Sequence, residues 1–306
     1  MVYVALQVLL CPLLSPFSVK HELYSQLKKH QENKINIVDR DSIYLFDIFS
    51  FESFKIKSES PYSHVAYFSC SYTDDVTELE LCFNPIFQDF DIPKLTIDIS
   101  QLSGFGHSKS DLFKYKSIDE FVESECPSYI ETISQAQLRL MLSHRGIQIV
   151  NNQDSTFDNF YMYGWQPKVF LSNENGSHHL ASAQYIALRL NQPVPLTARL
   201  IYKVIRGEQL ANFHDRYAAY ITPLHELDDY FKWFDNSNIK FIRLDDSLHE
   251  YAVYFFKRTS ENKRIIELFS SKFSSLNQIL WKRLSDQTNN MLLKALVPLN
   301  SGCWSY

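Results

Sequence analysis

The stretch LSNENGSHHLASAQYIALRL (residues 171–190) has the pattern of a strand end, a tight polar turn and a helix. The chain contains only seven glycines, and Gly176 falls in this turn, where a residue without a Cβ can adopt a positive φ at little cost. Ser177 follows as the predicted N-cap residue, so that His178 and His179 lie in the first helical turn. The sequence therefore predicts a helix that begins directly after a glycine turn.

The start of this predicted helix has the chemistry of an anion site. The free backbone N–H groups of a first helical turn carry partial positive charge and point away from the helix, which favours phosphate or another anion. The same charge disfavours a protonated imidazole, so we expect the pKa values of His178 and His179 to be lowered. Adjacent helical residues diverge by about 100°, so we do not expect both side chains to bind one metal ion. In the alternative interpretation one histidine packs, the other is exposed, and the turn is purely structural.

Periodicity and turn residues predict the elements that flank the turn. They are a helix at 137–144 and strands at 147–150, 168–172 and 196–204. Ser134 and Gln137 are placed to form a capping box at the start of the helix, and Gly146 to close it in a left-handed conformation.

This order of elements, with NGSHHLASA (175–183) at the turn and QPVPLTARL (192–200) at the next strand, resembles the core of the ParB/sulfiredoxin-like superfamily. The resemblance covers about residues 135–205. Members of the superfamily have a Gly-x-His-Arg or Gly-Glu-Arg-Arg motif at the turn, where the helix N-terminus binds nucleotide phosphates. The resemblance therefore implies a nucleotide-phosphate site in this part of the chain.

Carried over to this sequence, the motif gives each residue of the turn a role. Gly176 would make the turn, Ser177 and the first amide groups would contact phosphate, and His178 occupies the position of the motif histidine. His179 stands where the family usually has arginine, and an imidazole offers one donor where a guanidinium offers a charged, bidentate fork. The catalytic cysteine of sulfiredoxins is replaced here by Ser177, which excludes sulfinic-acid reduction.

Two further segments contain candidate ligand-binding residues. In RGEQLANFHDRYAAY (206–220), Glu208, Asn212 and Arg216 follow i, i+4, i+8 spacing, so on a helix they share one face. In the ParB branch a helix at about this position helps to hold metal and nucleotide, which implies a metal-binding and catalytic role for Glu208 and a ligand-binding role for the other two. Asp154 is a second candidate Mg²⁺ ligand. A solvated helix face and an ordinary polar loop are the structural alternatives.

Composition limits the class of protein. The 306 residues are 45% hydrophobic, which is ample for a core, and the net charge of −5 provides no general basic surface for nucleic acid. Five cysteines without a CxxC pair indicate neither a disulfide framework nor a structural zinc site and are typical of the cytoplasm. The apolar N-terminal run MVYVALQVLLCPLLSPF is shorter than the roughly 20 residues of a membrane span. We expect it to be a buried strand or helix, in a cytoplasmic protein without a membrane association.

These patterns predict a mixed α/β (α+β) fold with a ParB/sulfiredoxin-like core. Three regions are expected, namely a strand-rich region of unknown role at 1–133, the core at 134–206, and a mainly helical region packed on the core at 207–306. Further strands are predicted at 63–72, 77–87, 94–100, 238–244 and 250–256, and a last helix at 274–296.

The function expected from these features is binding of a nucleotide or other phosphorylated ligand at the Gly176 turn. A Mg²⁺-dependent nucleotide hydrolase, nuclease or phosphotransferase would use His178 and the helix N-terminus to stabilise phosphate charge. Glu208 or Asp154 would hold the metal, and His179 would act as acid or base. Whether turnover occurs is left open.

Two other interpretations stay open. In the first, the protein is a non-catalytic interaction module, in a phage- or plasmid-related setting, that binds a protein partner while the turn serves only as a helix cap. In the second, it associates with DNA through a basic stripe formed by Arg139, Arg145, Arg189 and Arg199, an interpretation that the acidic balance disfavours.

Overall fold

The structure is a computed structural model that describes residues 16–32, 42–45, 73–151, 157–228, 234, 237, 239–246 and 251–296. Its helices are α1 (Pro16–Lys29), α2 (Thr73–Phe83), α3 (Ile118–Glu125), α4 (Gln135–Leu142), α5 (Gln148–Asn151), α6 (Ser177–Arg189), α7 (Gly207–Arg216), α8 (Lys263–Lys272), α9 (Leu276–Asn289) and α10 (Met291–Leu296). Its strands are β1 (Phe87–Asp98), β2 (Leu102–Phe105), β3 (Asn159–Tyr163), β4 (Val169–Ser172), β5 (Pro195–Ile205), β6 (Tyr217–Pro223), β7 (Ile242–Asp246), β8 (Tyr251–Lys257) and β9 (Ser274–Ser275). The fold is mixed α/β, as the sequence predicts.

The first sheet has five strands in the order β1-β5-β3-β4-β2. β1 pairs antiparallel with β5, β5 parallel with β3, β3 antiparallel with β4, and β4 parallel with β2. Alternate residues of β5, from Leu196 to Val204, are buried. That alternation of period two is what a sheet with one face on the core requires.

Helix α6 covers the buried face of this sheet, and α3 and α4 pack against α6. Every residue of α6 from Leu180 to Ala187 is buried. Small side chains on part of the helix surface let the helix lie close to its neighbours. They belong to Ala181, Ala183 and Ala187, which are all buried.

The second sheet has four antiparallel strands in the order β7-β8-β6-β9. Alternate residues of β6 and β8 contribute to two different apolar clusters. Tyr217 and Phe255 pack on the side of α2, α7 and α9, whereas Tyr220 and Phe256 pack on the side of α1 and α8. Because both faces are covered, β6 is a nearly continuous apolar run, without the alternation that marks a half-exposed strand.

The sheet topology does not follow the three expected regions. β1 and β2 come from the region 1–133, yet they pair with β5 and β4 of the region 134–206. The expected core is therefore completed by strands from outside its boundaries. The region after residue 207 contains helices α7 to α10, but also a complete sheet whose strand β6 the sequence did not reveal.

Several local predictions are corrected. Residues 147–150 were expected to be a strand, but Gln148, Ile149 and Val150 belong to the helical turn α5. Most of 77–87 is helix α2, because Val76, Leu79 and Phe83 are buried at helical spacing. Gly146 was expected to close α4 in a left-handed conformation, but among the described glycines only Gly176 has a positive φ. Helix α4 ends before Gly146, at Leu142.

Other predictions are confirmed. Ser134 is the N-cap of α4, and its Oγ accepts a hydrogen bond from the Gln137 N–H at 3.2 Å. The predicted capping box is incomplete, because the Gln137 side chain donates to Tyr129 O. The predicted strands near 94–100, 168–172 and 196–204 correspond to β1, β4 and β5, and those at 238–244 and 250–256 to β7 and β8. The predicted last helix is divided at Asn290 into α9 and α10. The apolar run before residue 16, the strand predicted at 63–72, and Asp154 lie outside the described residues.

No helix in the described part of the chain combines the length and the apolarity needed to cross a membrane.

Candidate functional site

An open cavity of about 860 Å³ lies at the carboxyl ends of β2 and β4. The segments 107–109, which follows β2, and 174–179, which joins β4 to α6, form two of its walls. The third wall is the connection between α4 and α5 at 144–148, and Tyr129 completes the lining. Because neighbouring parallel strands end at the same edge of a sheet, loops from distant parts of the chain meet there, as in other α/β ligand sites.

Gly176 makes the turn at the base of this cavity. It has φ 80° and ψ 5°, in the left-handed region, and it is itself the N-cap of α6. A Cβ at this position would lie 2.6 Å from the carbonyl oxygen of Gly146, so two glycine backbones approach each other closely. The prediction that Ser177 is the N-cap is therefore wrong by one residue. Ser177 is the first helical residue, and it is buried.

The first turn of α6 presents backbone donors to the cavity. The first intrahelical hydrogen bond joins Leu180 N to Gly176 O at 2.9 Å. The amide groups of Ser177, His178 and His179 precede that bond, and all three residues line the cavity. Free amide groups at a helix start are a common anion-binding feature of proteins, so anion binding at this turn stays a prediction.

A stacked pair of imidazoles forms one side of the cavity. The rings of His144 and His179 lie 3.7 Å apart between centroids and 9° from parallel, and Tyr129 contacts the His179 ring at 4.7 Å. Gly146 N donates to His144 Nδ1 at 3.2 Å, which assigns the proton of neutral His144 to Nε2. Burial, together with the nearby His144 and His178, lowers the pKa of His179.

His178 is held by a hydrogen-bonded chain on the other side of the turn. Its Nε2 lies 3.1 Å from Ser110 Oγ, and Ser110 donates to Glu125 Oε2 at 2.7 Å. Tyr115 donates to the second carboxylate oxygen of Glu125. Because the Ser110 hydrogen is directed at Glu125, the His178 N–H donates to Ser110, and Nδ1 of the neutral ring retains its lone pair.

Hydrogen bonds and burial set the charges of Glu125 and His178. The hydrogen bonds from Tyr115 and then Ser110 lower the pKa of Glu125, so it is a carboxylate at neutral pH. Burial lowers the pKa of His178 and outweighs the opposing effect of Glu125. The lowered pKa values of both histidines agree in direction with the sequence analysis, but burial is the largest cause of each.

The lining of the cavity is rich in groups that favour an anion. Lys109 and Arg145 are exposed at its edge and contribute two positive charges. Glu174 contributes the one carboxylate among the described lining residues. Imidazoles are contributed by His107, His144, His178 and His179.

The second predicted group of site residues lies elsewhere. Glu208, Asn212 and Arg216 share helix α7, as their spacing predicts, but none of them lines the cavity. Arg216 Nη1 lies 3.7 Å from Glu78 Oε1, and Asn212 Nδ2 lies 3.9 Å from Cys82 Sγ, so this face contacts α2. The roles predicted for these three residues at the turn are not supported by this placement.

Strand direction is the physical reason. β5 runs parallel to β3, and β3 runs antiparallel to β4, so β5 and β4 end at opposite edges of the sheet. α6 begins after β4 and α7 begins after β5. The starts of the two helices are therefore separated by the length of the sheet.

The described lining offers few of the ligands that Mg²⁺ prefers. Mg²⁺ prefers carboxylate, phosphate and water oxygens, whereas this lining has four imidazoles, a lysine and an arginine beside the one carboxylate of Glu174. Within the described ranges no group of three or more His, Cys, Asp or Glu side chains could hold a metal ion.

The candidate basic stripe for DNA is interrupted, because Arg189 and Arg199 each lie within 3.2 Å of an aspartate.

Sequence reasoning missed more than half of the lining. The sequence assigned no role to His107, Ser108 and Lys109, and it placed His144 only as the last residue of the predicted helix at 137–144. A shared pattern was present, because each of the three segments GFGHSK, SHRG and NGSHH combines glycine with histidine in a chain that has few of either.

Comparison with known proteins identifies a family without a known function. A family model described as "Family of unknown function (DUF6685)" matches residues 92–296, which is more than half of the chain and includes all three lining segments. No curated protein and no solved structure matches the chain.

Proposed function

We propose that this chain, which belongs to the family DUF6685, binds a phosphorylated small molecule in the cavity at the Gly176 turn. The observation that carries the proposal is the convergence of two independent sources of positive potential on one open cavity, namely the amide groups at the start of α6 and the lysine and arginine at the edge. Beside them lies the pair of imidazoles, whose ring N–H groups can donate hydrogen bonds.

Several of these groups would have to act together. A hydrogen bond to a charged group contributes roughly 1.5–3 kcal/mol, an exposed charge contributes less, and immobilising the ligand opposes binding. Micromolar binding requires about 8 kcal/mol, so it needs contacts from the amide groups, Lys109, Arg145 and His179 to the same phosphate group.

The size of the cavity favours an organic phosphate over the free ion. Small-molecule sites commonly have volumes of about 300–1,000 Å³, and this cavity of about 860 Å³ leaves room beyond one phosphate group. Tyr129 and the stacked imidazoles place aromatic rings in the cavity wall, where a base or another planar group would lie beside them. A nucleotide, which the ParB/sulfiredoxin-like resemblance implies, therefore belongs to the proposed class of ligand.

Mg²⁺-dependent turnover is not part of the proposal. The position of Glu208 on α7 removes one of the two predicted metal ligands from the turn, and Asp154 lies outside the described residues. His179 is the group best placed for proton transfer to a bound phosphate, since His178 is already hydrogen-bonded to Ser110.

The experiment is thermal unfolding of the full chain with phosphate, pyrophosphate, AMP, ADP and ATP, each with and without Mg²⁺. A ligand at about 100 times its dissociation constant stabilises the native state by about 2.7 kcal/mol. We expect at least one phosphorylated compound to raise the midpoint in the wild type, and the double variant Lys109→Ala, Arg145→Ala to lose that shift. Both residues are exposed, so the variant should fold.

Arg199→Ala is the matched control, because it removes an exposed arginine that contacts Asp91 and is not part of the cavity lining. It should retain the full shift. Absence of a shift with every phosphate compound would contradict the proposal and favour the interpretation of the turn as a helix cap in a protein-binding module. An equal loss of the shift in the control would show only a general effect of net charge.

A further inference from the structure

The His178 ring lines the phosphate cavity, and its hydrogen bonds determine which ring nitrogen carries the proton. Nε2 lies 3.1 Å from Ser110 Oγ, which in turn lies 2.7 Å from Glu125 Oε2. A carboxylate can only accept, and a serine hydroxyl has one hydrogen, so Ser110 donates that hydrogen to Glu125. The hydrogen between His178 and Ser110 must then come from Nε2.

This assignment leaves His178 without a ring donor for phosphate. Burial lowers the pKa of His178, so the ring is neutral at neutral pH. A neutral imidazole has one N–H group, and here it is directed at Ser110. The sequence motif implied that this histidine stabilises phosphate charge, but its second nitrogen, Nδ1, has only a lone pair to offer.

Nδ1 of His178 is an accessible acceptor that the fold does not use. Among the described residues nothing donates a hydrogen bond to Nδ1, and the atom is not closed off from solvent. The ring is also fixed in place, because Phe121 packs against it at 5.1 Å between centroids while Ser110 holds Nε2. A fixed acceptor in the lining of a cavity is suited to recognise a hydrogen-bond donor on a ligand.

The phosphate group itself does not supply this donor. A phosphate monoester that has lost both protons carries only acceptor oxygens, so the donor belongs to the organic part of the ligand. Lys109 and Arg145 at the edge disfavour an ammonium group, because like charges repel. A neutral hydroxyl group meets both conditions.

We propose that the ligand of the phosphate site carries a hydroxyl group close to its phosphate, and that Nδ1 of His178 accepts a hydrogen bond from this hydroxyl. The proposal rests on the proposed phosphate site. The amide group of His178 is one of the phosphate donors there, and Nδ1 is only a few covalent bonds away in the same residue. The hydroxyl therefore lies on a carbon near the ester oxygen, as in sugar and polyol phosphates.

The test uses two phosphate monoesters that differ by one hydroxyl group, 2-hydroxyethyl phosphate and ethyl phosphate. Each is titrated into the full chain, labelled with nitrogen-15 in histidine, at pH 8. This pH is about two units above the second phosphate pKa near 6, so both phosphates are dianions. We expect the wild type to bind the hydroxyl ester about threefold to tenfold more tightly, the range of one neutral hydrogen bond.

His178→Phe should abolish this preference, because phenylalanine keeps a ring beside Phe121 but has no acceptor. The affinity for ethyl phosphate should change little. His225→Phe is the matched control, since His225 is also a hydrogen-bonded histidine, with Nδ1 2.8 Å from Asp228 Oδ2, but is exposed and outside the cavity lining. It should retain the preference for the hydroxyl ester.

The nitrogen-15 shifts of the free protein give a second readout that needs no ligand. Protonated and unprotonated ring nitrogens have different shifts, and the His178 signals are identified by their loss in His178→Phe. We expect the proton of the neutral ring on Nε2. Ser110→Ala retains the ring and its contact with Phe121, and it should release the proton to either nitrogen and reduce the preference for the hydroxyl ester.

The possible failures are distinguishable. If neither ester binds the wild type, the proposed phosphate site is wrong and this proposal falls with it. If both bind with equal affinity, or if the neutral ring carries its proton on Nδ1, this proposal alone is overturned. A preference that persists in His178→Phe also overturns it, and would assign the hydroxyl to another acceptor of the lining, such as Glu174.

Discussion

At the scale of single residues, Gly176 is constrained both by its own backbone conformation and by a neighbouring segment. A side chain there would meet two obstacles, a left-handed conformation and the backbone of Gly146. The first could be inferred from the sequence, because a glycine between a strand and a helix indicates a special turn. The second depends on a segment that lies thirty residues earlier in the chain.

Gly176→Ala should therefore lower the free energy of unfolding by about 2–5 kcal/mol, the sum of left-handed strain and local overpacking. Urea unfolding monitored by circular dichroism measures the change. Gly207→Ala is the control, since Gly207 lies at the start of α7 with an ordinary φ and meets only the flexible Leu284 side chain at 3.3 Å. Similar losses in both variants would contradict the role assigned to Gly176.

At the scale of elements, the packing around the start of α6 lowers the pKa of His179. The helix dipole could be read from the sequence, but burial and the stacked His144 ring, which contribute to the lowered pKa of His179, come from packing. A histidine with a lowered pKa in the native state binds fewer protons there than in the unfolded state. Stability is then highest above the unfolded-state pKa near 6.5 and falls as the pH decreases below it.

We expect the unfolding free energy to decrease from pH 7 towards pH 5.5, with His178 and His179 each contributing at most about 1.4 kcal/mol per pH unit. The variant His179→Gln should show a shallower decrease, because one of these groups is removed. His21→Gln, at an exposed position of α1, should leave the slope unchanged. An identical slope in wild type and His179→Gln would show that this ring is not disfavoured as a cation.

At the scale of the whole molecule, helix α9 joins the two sheets through buried amide side chains. Gln287 accepts from Ile205 N at 2.8 Å and donates to Ile205 O at 3.0 Å, at the end of β5. Asn277 makes the corresponding pair of bonds to Ala219 N and Tyr217 O of β6. One helix therefore satisfies backbone groups of both sheets, and we expect them to unfold in a single transition.

Gln287→Ala should lower the unfolding free energy by about 2–5 kcal/mol, because two buried backbone groups of Ile205 lose their partners at about 1–3 kcal/mol each. Equilibrium unfolding followed by both tryptophan fluorescence and circular dichroism measures this loss and tests whether the two signals coincide. Gln278→Ala, at an exposed position of the same helix, should cost little. If the fluorescence and dichroism transitions separate in the wild type, the two sheets do not form one cooperative unit.

The sequence by itself determined the mixed class, the strand–turn–helix around Gly176, the strands β4 and β5, and the last part of β1, but not β2 or β3. These features depend on local rules, namely glycine conformation, capping and periodicity, which act over a few neighbouring residues. The same rules failed for β6, because a strand buried on both faces has no alternation to detect.

Only the tertiary structure decided which residues share the candidate site. Parallel pairing of β2 with β4 places the loop after each strand at one edge, so His107 and Lys109 reach the turn although some seventy residues separate them from it. The opposite direction of β5 takes α7 and Glu208 to the other edge, although that helix follows the turn closely in the sequence. Strand direction is set by long-range pairing, and neither the composition nor the spacing of a segment contains it.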